Sequence, residues 1–181
     1  MIMPNLKYFL VLSLIFSSLL IAAQDSQYIN WSTARKLTWN DYLASPDKNS
    51  DAAATTSTAL GIEYRLRNNN VSHSSVCRFS KTKSWGRFKT DYILAHEQCH
   101  FDITEVFARK LHKAMMEYEF NSTSYKNDLN KIYEDIVKEK QDFQNEYDLE
   151  TQHSQNSEKQ KEWQKKIEKM LDDYKEYSTY N

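Results

Sequence analysis

The chain has 181 residues, with 24 Lys+Arg against 25 Asp+Glu and 40% hydrophobic residues. That length suits one domain with a modest core. Its near-balanced charge gives no reason to expect nucleic acid or an anionic membrane surface as a partner.

Met1 to Ala23 reads as a secretory signal peptide. One lysine, Lys7, precedes an apolar run from Tyr8 to Ile21 that ends in Ala22-Ala23 before the polar Gln24-Asp25. The run is about 14 residues, short of the about 20 that a membrane span needs, so cleavage is expected rather than a retained anchor. The expected product is an exported protein, periplasmic or secreted, with no stable membrane span and a single domain over residues 24–181. Only two Cys are present. In an oxidising compartment they predict one disulfide, Cys77 to Cys99, with Cys99 as a metal ligand the rival reading because it stands three residues after His96.

Gln24 to Ser50 is polar except for the island Lys36 to Tyr42, and Pro46, Asp47, Asn49 and Ser50 close it as a turn. From Ala59 the pattern alternates, with Leu60, Ile62, Tyr64 and Leu66 between Gly61, Glu63, Arg65 and Arg67, which predicts a half-buried strand. The turn-prone Asn68-Asn69-Asn70 and the run Val71 to Phe79 complete a β-hairpin. His73 on the second strand has no partner in sequence and reads as surface or core filler. Ser84 to Phe88 is a loop that delivers the chain into the next segment.

Asp91 to Leu111 carries His96, Glu97 and His100 in H-E-x-x-H spacing. On a helix this puts two imidazoles one turn apart on one face, where Zn²⁺ can take both nitrogens at about 2 Å. Glu97 points about 100° round the axis from His96, where a carboxylate reaches a metal-activated water rather than the metal. Ile93, Leu94, Phe101, Val106, Phe107 and Leu111 supply the apolar back of the helix. The bland alternative is a packed amphipathic helix whose histidines are satisfied by hydrogen bonds.

A break at Asn121 to Ser124 precedes a second helix with its stripe at Tyr125, Leu129, Ile132, Ile136, Phe143 and Tyr147, interrupted at Lys140. A third helix is expected from a capping box, Ser157 with Gln160, and carries Trp163, Ile167, Met170, Leu171 and Tyr174. The sequons at Asn30, Asn70 and Asn121 matter only for a eukaryotic secreted chain.

Catalytic zinc needs a third protein ligand and an open position. Ile103 and Val106 stand where the extended metzincin pattern requires Gly and His, which excludes that class. Glu134 and Glu139 on the second helix are available but are not distinguished from their neighbours. The link Tyr147 to His153 offers more. His153 is the candidate ligand, with Asp148 or Thr151 orienting its other nitrogen and Tyr147 as a donor to a developing oxyanion. His112 is excluded, because it sits about 160° round the helix from His96.

The runs HEQCHFDITEVFARKL and YDLETQHSQNSEKQKEW resemble a bacterial family of secreted zinc-dependent proteases that is filed as a domain of unknown function. The resemblance rests on H-E-Q-x-H-F-D-I-T-E-x-x-A-R-K over His96 to Lys110, on Y-D-x-x-T-x-H over Tyr147 to His153, and on Gln160 with Trp163. The upstream L-T-W-N-D-Y, the T-x-T/S-x-x-x-I-x-Y start of the strand and the Ser84-Trp85 pair agree with it. It departs at Cys99. It implies an α+β, zincin-like small domain, with an N-terminal β-hairpin or sheet followed by the His helix and two further long helices. The implied activity is a zinc metallopeptidase: Zn²⁺ on His96, His100 and His153, Glu97 as general base, and a peptide or protein as substrate. Two rivals stand beside it. One is an exported helical binding module with a structural metal or none, and the other is an amidase of cell-wall material.

Overall fold

The computed structural model describes residues 27–67 and 70–180, so the expected signal peptide and the first two residues of the Asn68-Asn69-Asn70 turn lie outside the described residues. The fold is α+β, an antiparallel sheet followed by three helices. The hairpin forms where the alternation places it. Strand β3 (Thr58–Arg67) pairs with β4 (Asn70–Ser80), with Leu60 opposite Cys77 and Thr58 opposite Phe79. A short β1 (Tyr28–Asn30) adds to the far edge of β4 to give the order β1-β4-β3. Ile29, Leu60, Cys77 and Phe79 turn inward, whereas Glu63, Arg65 and Arg67 stay in solvent.

A second, two-stranded sheet joins β2 (Ala54–Thr55) to β5 (Trp85–Gly86), neither of which the periodicity signals. It exists because Gly86 lets the chain pass flat against an indole. A Cβ there would stand 2.5 Å from the Trp39 ring. Trp39 belongs to a short 3₁₀ turn, Trp39–Asp41, in the polar N-terminal region.

Helix α1 (Asp91–Met116) runs beneath the sheet and is capped by the Thr90 hydroxyl, which accepts from the Ile93 N–H. Helices α2 (Tyr125–Thr151) and α3 (Ser157–Asp173) pack on its remaining sides. The third helix starts one residue earlier than the expected box. Asn156 is its cap, accepting from the Lys159 N–H, while Gln160 is buried and donates to the Tyr92 carbonyl. Among the described residues no helix is long and apolar enough to cross a membrane.

Surrounded on every side, α1 is buried without interruption from Cys99 to Arg109. A one-sided stripe does not anticipate this, because Asp102, Thr104, Glu105 and Arg109 go inside with the apolar residues. Each is partnered by a residue distant in sequence, the condition under which polar groups tolerate burial. Asp102 accepts from Trp31 Nε1 at 2.6 Å and Lys36 Nζ at 3.2 Å. Glu105 accepts from Arg109 Nε at 2.8 Å and from the Tyr180 hydroxyl, and Arg109 also donates to the Leu171 carbonyl.

The two cysteines are free, which corrects the disulfide expected between them. Cys77 comes off β4 beside Glu105, whereas Cys99 lies against Tyr147. Positions 99 and 105 are about 240° apart round the helix, so the thiols belong to different faces of it. Burial pushes both up, Cys99 to about 12. Among the described residues Cys99 does not join the donors that converge with His96 and His100.

Candidate metal centre

The N-terminal half of α1 lifts His96, Glu97 and His100 into a cleft of about 440 Å³. Its far wall is the extended segment 52–58 and its near wall is α2, through Lys140, Gln141, Gln144, Asn145 and Asp148. Lys140 interrupts the apolar stripe of α2 for this reason: its position faces the cleft rather than the core.

The Nε2 atoms of His96 and His100 converge on one atom, Asp148 Oδ1, at 3.2 and 3.1 Å. Two donors bound to one tetrahedral ion at about 2.0–2.1 Å stand about 3.3 Å apart, so these separations already approach the edges of a metal polyhedron. Among the described residues, His96, His100 and Asp148 are the group of three whose donor atoms lie within 4.8 Å of one another. The residues present therefore fit a divalent metal. Asp148, expected to orient a ligand, is itself the third converging donor.

His153 is not brought into this group. Helix α2 ends in an αL residue, Gln152, and His153 and Ser154 follow with φ of 51° and 71°. This turn throws the imidazole to the rim of the cleft, where its side chain is 76% exposed and its Nδ1 lies 4.0 Å from Asp148 Oδ1.

Each converging ring is held from behind. His100 Nδ1 lies 2.6 Å from Gln144 Oε1, and the Gln144 amide N–H donates to Thr104 Oγ1 at 3.3 Å. The Thr104 hydroxyl spends its own proton on the His100 carbonyl, so it must accept from Gln144. That orients the amide with its oxygen toward His100, makes Nδ1 the protonated nitrogen and leaves Nε2 free to bind. His96 instead stacks on Tyr147, with centroids 4.6 Å apart and planes 20° from parallel. The Tyr147 hydroxyl donates to the His96 carbonyl at 3.2 Å. Tyr147 is fully buried beneath the histidines, and its hydroxyl is spent on the helix backbone rather than turned into the cleft where the oxyanion role was expected. Thr151 is likewise buried, and its hydroxyl donates to the Tyr147 carbonyl rather than orienting His153.

Glu97 is buried with Oε2 unpartnered, and His96 Nδ1 is likewise an orphan. A carboxylate oxygen left without a donor beside three metal-type ligands is what a site built around water requires. Burial disfavours charge on Asp148, but the hydrogen bonds and charge of His100 and His96 hold its carboxyl well below the usual carboxylate range. Burial alone would depress His100. Asp148, then the charge of Glu97 and the bond to Gln144, more than offset it and raise its pKa.

Glu134 and Glu139 are exposed on α2, away from the cleft. Sequence reasoning missed Gln144, which has no motif of its own. Its one signal is spacing, four residues before Asp148 and therefore on the same helix face.

A family model described as "Bacterial protein of unknown function (DUF922)" matches residues 21–154, from before β1 to the turn after His153. No curated protein matches the chain, and no solved structure does.

Proposed function

We propose that this chain, which belongs to the DUF922 family of bacterial proteins, is an exported zinc-dependent hydrolase of the metallopeptidase type. The observation that carries the reading is the convergence of His96 Nε2, His100 Nε2 and Asp148 Oδ1 beside the unpartnered Glu97 oxygen at the bottom of an open cleft. A structural zinc takes four protein donors. Here three converge among the described residues, which favours a site with a position left for water or substrate.

His96, His100 and Asp148 would hold the metal, which when bound acidifies a water and polarises a carbonyl. Glu97 accepts the proton of the attacking water and returns it to the leaving amine. Gln144 keeps His100 in the binding tautomer, and Tyr147 keeps the His96 ring in register. The segment 52–58 and the amide side chains of Gln141, Gln144 and Asn145 offer hydrogen-bonding groups along the cleft, which suits a peptide or another amide.

The test is metal content of the chain from residue 24 onward, together with amide hydrolysis over a peptide and cell-wall substrate panel. Zinc near one per chain is expected, with Asp148→Ala losing it and His153→Ala retaining most of it. The reverse pattern would move the third ligand to His153. Glu97→Gln should keep zinc and lose activity by about 10²–10⁴-fold. A zinc-free protein after supplementation, or full activity in Glu97→Gln, would overturn the reading.

A further inference from the structure

A second pair of histidines lies outside the cleft. His73 on β4 and His112 near the end of α1 bring Nε2 and Nδ1 to 2.9 Å, with ring centroids 4.9 Å apart. His73 was expected to be surface or core filler and His112 was set aside as a zinc ligand, and neither lines the cleft. His112 follows His100 by twelve residues, about 18 Å along the helix axis. Both rings are half-buried, and each is carried by a regular element, one by the sheet and one by the helix beneath it. Burial lowers the pKa of both, and for His112 the charge of His73 adds to the effect, so both imidazoles are neutral at neutral pH, the form that binds a metal.

We infer that His73 and His112 form a second metal site for a divalent cation that imidazole binds, copper(II) above all. Their facing nitrogens lie close enough that small turns of the two rings let one ion replace the hydrogen bond between them. Copper(II) leads the affinity order for imidazole sites. On binding, each ring offers its facing nitrogen. The ring that donated the hydrogen bond releases that proton to solvent and takes one up on its other nitrogen, so the pair remains neutral. Waters complete the coordination, because among the described residues no third His, Cys, Asp or Glu donor joins the pair. The bound ion ties β4 to the C-terminal half of α1.

The experiment is titration with copper(II) of the protein from residue 24 onward, in saturating zinc and with glycine as competitor, followed by electron paramagnetic resonance and by thermal melting. One tetragonal copper per chain with two nitrogen ligands is expected, accompanied by a rise in melting midpoint. His73→Ala and His112→Ala should each weaken copper by more than the about 10–100-fold that losing an outer-shell partner costs. His96→Ala and His100→Ala should leave it unchanged. His73→Gln keeps the bulk and hydrogen-bonding capacity at position 73, and provides the folded control if the alanine variants melt early. Copper uptake that persists in folded His73→Gln and His112→Ala, or that disappears only with His96 or His100, would overturn the inference. Because the signal is copper at His73 and His112, it stands or falls separately from zinc content and hydrolysis at the first site.

Discussion

Gln144 and Tyr147 decide what the two cleft histidines can do, although neither touches the expected metal. Removing the Gln144 amide frees His100 Nδ1 to lose its proton and the ring to turn. Gln144→Ala should therefore weaken zinc by about 10–100-fold while leaving the fold intact, measurable with a competing chelator. Tyr147 separates two roles cleanly. An oxyanion donor would cost two or more orders of magnitude on loss of its hydroxyl. Tyr147→Phe keeps the ring stacked on His96 and removes only the bond to the His96 carbonyl, so turnover should stay within a few-fold and stability should fall by about 1 kcal/mol. Single-residue reasoning reached His96, Glu97 and His100 because their spacing is itself the chemistry. It did not anticipate that Asp148 lies against both histidines while His153 stands at the rim, an order of approach that depends on how the αL turn at Gln152 aims the chain.

At the scale of the element, the polar N-terminal island is better built than its composition suggests. Asp41 closes the 3₁₀ turn by accepting from the Thr38 N–H at 2.8 Å and from Arg35 at 2.7 Å. Burial works against its charge, but the Thr38 and Arg35 bonds win, and its carboxyl titrates below the ordinary value. A depressed folded pKa means the stabilisation is present above the unfolded value near 4 and is lost as pH falls through the folded one. Asp41→Asn should cost about 1–3 kcal/mol at neutral pH, and the gap between variant and parent should close below about pH 4, as read from urea midpoints across pH. The turn matters beyond itself. Trp39 lies under Gly86 and Tyr42 bonds Thr56 at 2.8 Å, so this island carries the wall of the cleft opposite α2.

At the scale of the whole molecule, α1 is the axle, and its buried ion pair is the joint between the sheet, α3 and the C-terminal segment. Arg109 meets Glu105, the Leu171 carbonyl and the face of Trp31, while Tyr180 closes on Glu105 from the end of the chain. Arg109→Ala leaves a buried carboxylate without its cation and should cost about 3–5 kcal/mol, a fall of about 10 °C in melting midpoint. The periods of 2 and 3.6, the breaks at Asn121 to Ser124 and the H-E-x-x-H spacing are local properties, so the hairpin, three helices and two of the three converging donors could be read directly from the sequence. Tertiary structure alone decided the rest. It buried Asp102, Glu105 and Arg109, kept Cys77 and Cys99 apart, moved Asp148 onto the two histidines and paired His73 with His112. Each of these joins residues tens of positions apart, and which faces meet is set by packing three helices and a sheet around one rod, not by any spacing along the chain.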